Sequence, residues 1–122
     1  MKKMLFIEDD DLTVSLMSRL FKKSFKIFTC NSSEEFYKKC INNNYDIIIM
    51  DVSLRGNKDG LVLTKEIKNI PSFAAVPILC LTAHAQASMR QTAIDSGIDL
   101  FMTKPVQNNV LKDAVEFLLK PA

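Results

Sequence analysis

Glycine and proline are scarce in this sequence, with three glycines and four prolines among 122 residues. Collagen-like repeats and low-complexity disordered chains would need far more of both. Hydrophobic residues make up 48% of the chain and charged residues 25%, as in ordinary globular domains. A chain of this length supplies one adequate hydrophobic core, and dividing it would leave each part too small. We therefore expect one domain over residues 1–122.

Long hydrophobic runs are also missing. No apolar stretch approaches the roughly 20 residues that are needed to cross a bilayer. The apolar stretch near the amino terminus is interrupted at Glu8, which is too early for a secretory signal peptide. The sequence thus predicts a cytoplasmic protein that does not bind membranes.

Neither sign of charge is in excess, and cysteine is rare. Sixteen basic residues oppose fourteen acidic ones, which gives a net charge of +2, and the lysine pairs are scattered along the chain. Direct nucleic-acid binding usually needs a basic cluster, so we do not expect it. The three cysteines, Cys30, Cys40 and Cys80, lack C-x-x-C spacing and have apolar neighbours. This pattern predicts buried free thiols rather than a disulfide or a metal site.

Apolar runs of strand length alternate five times with stretches of helical periodicity, which indicates an open parallel α/β sheet with right-handed crossovers. The second helix is predicted to begin with a capping box at Ser32 and Glu35, and the fourth to end before Gly97. The predicted strands cover residues 4–7, 27–28, 47–50, 76–81 and 100–102. The fourth helix is predicted over residues 86–96. The residues predicted to face the core from the other helices are Leu12, Leu16, Leu20, Phe36, Cys40, Ile41, Leu63, Ile67, Ile70, Val110, Ala114, Phe117 and Leu118.

Polar side chains stand at the carboxyl ends of the predicted strands, where open α/β sheets bind their ligands. Any one of them could be an ordinary loop or helix-terminal residue. Together at one sheet edge they indicate a site. They are Glu8 and Asp9 after the first strand, Asp51 after the third, Thr82 after the fourth and Lys104 after the fifth.

The three carboxylates of this set determine the expected chemistry. Side by side they would repel one another, and one would take up a proton unless a cation compensated the charge. Oxygen ligands without a neighbouring histidine or cysteine favour Mg²⁺ over Zn²⁺, with Mn²⁺ as a substitute. Because Mg²⁺ commonly bridges carboxylates and phosphate oxygens, the set predicts phosphoryl transfer to a carboxylate.

In order and position these residues resemble the receiver domain of response regulators, which act in two-component and phosphorelay signalling. The motifs that carry the resemblance are Glu8-Asp9, Asp51, Leu81-Thr82-Ala83 and Lys104-Pro105, and it extends over essentially the whole chain. It implies a flavodoxin-like (βα)5 fold, a three-layer sandwich around a five-stranded parallel sheet in the order 2-1-3-4-5.

The resemblance also implies a role for each residue of the set. Asp51 would accept a phosphoryl group from a phosphohistidine, and Lys104 would pair with a phosphoryl oxygen. Mg²⁺ would be held by Glu8, Asp9, Asp51 and the backbone carbonyl of Ser53. Such a domain is not an enzyme in the ordinary sense, because it promotes only its own Mg²⁺-dependent phosphorylation and dephosphorylation.

A second group of implied roles concerns switching. Thr82 would supply the hydroxyl that moves to the phosphoryl group, and Phe101 would be the switch aromatic. The bond between Lys104 and Pro105 is expected to be cis. Ser53 and His84 lie at rim positions, where we expect them to set the lifetime of the aspartyl phosphate. The simpler reading of His84 is an exposed polar residue without that role.

The implied partners are a sensor histidine kinase or a histidine phosphotransfer protein as donor, and a downstream protein bound by the face of helix 4, strand 5 and helix 5. Since we expect no DNA-binding or enzymatic segment after the last helix, output would be by protein binding. The loop over residues 51–60 is one residue longer than in most receivers, and Arg55 replaces a frequent proline. The motif around Thr82 resembles receivers of hybrid kinases and phosphorelays more than the winged-helix DNA-binding subgroup.

Two other functions stay open at this point. An Mg²⁺-dependent phosphatase with an aspartate nucleophile usually carries a D-x-D motif after its first strand. Here the expected nucleophile lies on the third strand, and Asp51-Val52-Ser53 lacks the second acid. A scaffold with an inactive site is disfavoured because all five key side chains are present.

Overall fold

A five-stranded parallel sheet forms the centre of the molecule. The computed structural model describes residues 1–52, 54, 59–83 and 87–121, with the backbone alone for residues 87–90. The order of the strands is β2-β1-β3-β4-β5, and every neighbouring pair is parallel, which confirms the predicted topology. The strands are β1 (Lys2–Ile7), β2 (Phe25–Cys30), β3 (Ile47–Asp51), β4 (Ile78–Thr82) and β5 (Leu100–Thr103).

A helix follows each strand. The helices are α1 (Asp11–Phe21), α2 (Ser33–Glu35), α3 (Gly60–Lys68), α4 (Ala87–Asp95) and α5 (Asn108–Leu119). α2 is a single turn that continues as a π-helical segment, Phe36–Cys40, and a 3-10 turn, Pro71–Phe73, precedes β4. Within the described ranges, no helix has the length and apolar character that crossing a membrane requires.

Successive strand residues face opposite sides of the sheet, and helices cover both sides. On one side Leu5 of β1 packs in a cluster with Leu63 of α3. On the other side Met4 packs with Phe21 of α1 and Leu111 of α5. The result is the expected three-layer sandwich, in which the strand ends, rather than the sheet faces, are open to ligands.

β2 is longer than the two-residue strand that the sequence predicted. It pairs with β1 over Phe25–Cys30, but it lies at the edge of the sheet, and its Lys26 and Thr29 are exposed. These polar positions interrupt the apolar run, so hydrophobicity alone revealed only its middle.

The predicted cap of α2 is present, with one difference. The hydroxyl of Ser32 accepts the Glu35 N–H at 3.1 Å, as in a capping box. The Glu35 carboxylate accepts the N–H of Asn31 at 2.8 Å, one residue before the partner expected for that motif.

The predicted core face of α1 was wrong in part. Leu12 and Leu16 are 68% and 56% exposed, whereas Leu20 packs against the core together with Met17. A spacing of four residues advances about 40° around an α-helix at each step, because 3.6 residues make a turn. The three leucines therefore form a spiral, and only its last member faces the sheet.

The predicted face of α5 was right for two of its four residues and wrong for the other two. Val110 and Phe117 are 45% and 68% exposed. Leu111 is buried in their place, and the predicted Ala114 and Leu118 pack against the core. The predicted faces of the other two helices are confirmed by the buried or partly buried positions of Phe36, Cys40, Ile41, Leu63, Ile67 and Ile70.

Candidate functional site

The polar residues predicted to meet at one sheet edge do so. Glu8 directly follows β1, Asp51 and Thr82 are the last residues of β3 and β4, and Lys104 directly follows β5. Because β1, β3, β4 and β5 are neighbours in parallel register, their carboxyl ends bring these four side chains to one side of the molecule. Glu8, Asp51 and Thr82 are buried.

Three carboxylates form the centre of the site. One carboxylate oxygen from each of Glu8, Asp9 and Asp51 lies within 4.8 Å of the other two. Carboxylate oxygens are hard ligands that suit Mg²⁺ or Ca²⁺. The cluster could therefore hold a divalent metal ion. Ser53, whose carbonyl was the fourth predicted ligand, lies outside the described residues.

Lys104 supplies positive charge to this cluster. Its Nζ lies 3.1 Å from Oε1 of Glu8 and 3.8 Å from Oδ1 of Asp51. The backbone N–H of Lys104 donates to the carbonyl oxygen of Thr82 at 2.7 Å. This backbone bond holds the lysine beside the end of β4, so its ammonium can reach both carboxylates.

Glu8 is the acid most affected by these surroundings. Burial raises its pKa to about 7, together with the hydrogen bond and the negative charge of Asp51, while Lys104 acts in the opposite direction. Its Oε2 accepts the N–H groups of Asp9 and Asp10 at 3.1 and 3.4 Å. A further cation bound next to Glu8 would stabilise the charged form of its carboxylate.

Asp10 has a separate structural role. Its carboxylate caps α1 by accepting the N–H of Thr13 at 2.9 Å and the hydroxyl of the same residue at 2.5 Å. Of the three consecutive acids, the first two therefore belong to the cluster and the third begins the helix.

Gly60 is a site residue that sequence reasoning missed. A Cβ built on Gly60 would lie 2.1 Å from the carbonyl oxygen of Asp51 and 2.8 Å from Cα of Val52. The Gly60 N–H also donates to the Val52 carbonyl at 2.8 Å. The start of α3 thus lies directly against the backbone that carries Asp51. The sequence did contain a signal for this contact, namely a glycine immediately before an apolar helical stretch.

The remaining predicted residues are placed as follows. Phe101 lies in β5, paired with Cys80, and its half-buried side chain packs against the core cluster that contains Cys80. The Lys104–Pro105 peptide bond is cis, as predicted. His84, the predicted rim residue, lies outside the part of the chain that the structure describes.

Comparison with known proteins gives one consistent result. Residues 4–116 match the response regulator receiver domain family. A hybrid signal transduction histidine kinase of Dictyostelium discoideum is 33% identical over 119 residues, which cover 93% of this chain and 6% of the kinase. A transcriptional regulatory protein of Streptomyces coelicolor is 31% identical over 121 residues, which cover 98% of this chain and 52% of that protein.

Solved structures agree with the sequence matches. The crystal structure of a two-component response regulator from Clostridium difficile superposes with a TM-score of 0.89 at 27% identity, covering 98% of this chain and 96% of that one. The chain spans about half, or much less, of the length of the curated relatives that it matches.

Proposed function

Because this chain belongs to the response regulator receiver domain family, we propose that Asp51 accepts a phosphoryl group from a phosphohistidine. The observation that carries the proposal is the convergence of three carboxylates and one ammonium at the ends of β1, β3 and β5. We further propose residues 1–122 as one receiver domain, since both core clusters share a single sheet.

In the proposed transfer, a carboxylate oxygen of Asp51 attacks phosphorus, and the bond from phosphorus to the imidazole nitrogen of the donor breaks. Glu8, Asp9 and Asp51 would hold Mg²⁺, with the Ser53 carbonyl as a further proposed ligand. When bound, Mg²⁺ supplies positive charge to the transferring phosphoryl oxygens.

Lys104 takes part by exchanging partners. It lies 3.1 Å from Glu8 and 3.8 Å from Asp51 before transfer. After transfer, the phosphoryl oxygens are the strongest hydrogen-bond acceptors near Lys104, so its ammonium pairs with one of them. The Glu8 carboxylate then relies on the metal ion for compensation. The same arrangement supports self-phosphorylation from a small donor and later loss of the phosphoryl group to water.

The proposed switch begins at Thr82. Support comes from its position: Thr82 is buried at the end of β4 and directly follows Leu81, the register partner of Asp51 in β3. Movement of this hydroxyl to a phosphoryl oxygen would favour one of two arrangements of Phe101 in β5. The face of α4, β5 and α5 would then bind a downstream protein. Ser53 and His84 are proposed to set the phosphoryl lifetime.

The donor is proposed to be a sensor histidine kinase or a histidine phosphotransfer protein. A hybrid histidine kinase and other histidine kinases are among the relatives of this chain, and receiver domains accept phosphoryl groups from histidine kinases. The role is therefore that of a signalling substrate rather than of an enzyme with turnover.

Intact-mass spectrometry after incubation with acetyl phosphate tests this proposal. We expect one Mg²⁺-dependent phosphoryl adduct on the unmodified chain and none on Asp51→Asn. Asp113→Asn, which changes an exposed acid of α5, is the matched control and should be phosphorylated normally. An adduct that persists in Asp51→Asn would overturn the assignment. Continuous release of phosphate from simple esters would indicate a phosphatase instead.

A further inference from the structure

A polar side chain is buried on the inner face of α3, one turn after the glycine that contacts Asp51. The structure describes every residue of α3. Its buried residues are Gly60, Leu61, Leu63, Thr64 and Ile67. Thr64 alone among them has a polar side chain, and that side chain is fully buried. Burying a hydroxyl costs free energy unless it is hydrogen-bonded, and leucine or alanine would favour the helix more. Neither packing nor helix formation therefore explains a hydroxyl at this position.

The Thr64 hydroxyl bonds back to the first residue of its own helix. It donates to the carbonyl oxygen of Gly60 at 2.7 Å, and the bond is buried. In a regular α-helix the N–H of Thr64 donates to the same carbonyl. A threonine hydroxyl that bonds to the carbonyl four residues earlier often bends a helix. This bond therefore helps to fix the angle at which the first turn of α3 leaves Gly60.

Gly60 passes the position of this turn to the backbone of Asp51. Its N–H donates to the Val52 carbonyl at 2.8 Å. Its Cα lies so close to the end of β3 that an added Cβ would be 2.1 Å from the Asp51 carbonyl oxygen. Both contacts join backbone to backbone, so no side chain can rotate to absorb a shift. A movement of the first turn of α3 therefore moves the residue that carries the reacting carboxylate.

We propose that Thr64 is a positioning residue for the phosphorylation of Asp51 and acts through Gly60. The inference rests on the proposed function, because it concerns the rate at which Asp51 takes up a phosphoryl group. Without the hydroxyl, the first turn of α3 straightens and the carboxylate of Asp51 moves with it. Since a misplacement of about 1 Å can slow a reaction by roughly 10²-fold, a shift of about 0.3 Å should slow it by roughly 4-fold.

Variants at Thr64 separate the hydroxyl from the shape of the side chain. Thr64→Val replaces the hydroxyl by a methyl group, whereas Thr64→Ser keeps the hydroxyl and loses the methyl group. In the mass assay with acetyl phosphate and Mg²⁺, we expect Thr64→Val to react roughly 4-fold more slowly than the unmodified chain. Thr64→Ser should react at nearly the unmodified rate. A role in packing alone predicts the opposite order, because valine preserves the shape and serine does not.

Ser96 provides a matched control at the other end of the sheet. Its buried hydroxyl donates to the Ala93 carbonyl at 2.6 Å. This bond lies where α4 ends and the chain approaches the start of β5. Ser96→Ala therefore removes a comparable bond, and its rate of phosphorylation should equal that of the unmodified chain. Circular dichroism checks that each variant is folded, and Thr64→Ala, which should also be slow, replaces Thr64→Val if valine prevents folding.

A second readout does not depend on phosphorylation. The amide NMR signal of Gly60 reports on its hydrogen bond to Val52, and it should shift more in Thr64→Val than in Thr64→Ser or Ser96→Ala. An unchanged Gly60 signal, or an unmodified rate in folded Thr64→Val, would overturn the proposal. Failure of the unmodified chain to take up a phosphoryl group would instead overturn the proposed function. The Gly60 signal would still show whether Thr64 holds this backbone in place.

Discussion

Gly60 begins α3 against the backbone of Asp51, and its replacement by alanine tests how the site is held. The added Cβ would lie 2.1 Å from the Asp51 carbonyl oxygen and 2.8 Å from Cα of Val52. Both neighbours are backbone atoms, which cannot rotate away as a side chain would. Either α3 or the end of β3 must therefore move by about 1 Å to restore an ordinary contact.

The expected cost follows from two opposing effects. Overpacking of this kind costs about 1–3 kcal/mol, whereas alanine in place of glycine in a helix returns up to about 1 kcal/mol. We expect Gly60→Ala to lower the free energy of unfolding by about 1–2 kcal/mol. A displacement of the reacting carboxylate by about 1 Å can slow a reaction by roughly 10²-fold. Phosphorylation of Asp51 by acetyl phosphate should therefore slow by one to two orders of magnitude.

Gly97→Ala is the control for Gly60→Ala, because it should destabilise the fold without displacing Asp51. Gly97 has φ +98°, and its nearest neighbour for a Cβ is Cγ of Lys68 at 3.3 Å. An alanine held in the left-handed backbone conformation costs about 1–2 kcal/mol. Gly97 precedes β5 and so lies near the amino ends of the strands, whereas Asp51 lies at their carboxyl ends. Urea unfolding should show similar losses for both variants, and intact-mass time courses should show slower phosphorylation only for Gly60→Ala. Equal rates in the two variants would refute the steric reasoning.

Three further changes have specific expected outcomes. Lys104→Met removes the ammonium 3.1 Å from Glu8, and the rate of phosphorylation should fall by roughly 10²-fold in the same mass assay. Asp99 accepts the Ile78 N–H at 2.8 Å, so Asp99→Ala should cost about 1–2 kcal/mol in urea unfolding. Asp99→Asn, which keeps an acceptor oxygen, should cost less than half as much. Ser32→Ala removes the cap of α2 and should cost about 1 kcal/mol, measured in the same way. A larger loss for Asp99→Asn than for Asp99→Ala would contradict the proposed role of that oxygen.

The site was more predictable from sequence than the helix surfaces around it. Apolar runs that end in an acid, a threonine or a lysine locate the carboxyl ends of parallel strands, and the strand order then brings those ends together. Glu8, Asp51 and Lys104 were found in this way. The close approach of Gly60 to Asp51 depends on where α3 begins in space, which no local pattern contains.

The buried faces of the helices were harder to predict than the site, because a shift of one position along a helix turns a side chain by about 100° and can move it from the core to the surface. The leucines of α1 recur every four residues, and Leu12 and Leu16 still turn away from the sheet. In α5 the buried stripe includes Leu111 rather than Val110.

The contact between Lys104 and Glu8 joins residues 96 positions apart in the chain. The two residues follow β1 and β5, which are separated by three of the four strand pairings in the sheet. Each pairing joins parallel strands, and parallel strands can pair only after a crossover connection has formed between them. During synthesis, β1 and the acids that follow it leave the ribosome before the rest of the domain. Lys104 follows only when nearly the whole domain has been synthesised. The complete charge arrangement therefore forms only once residues 8 and 104, and the strands between them, have folded together.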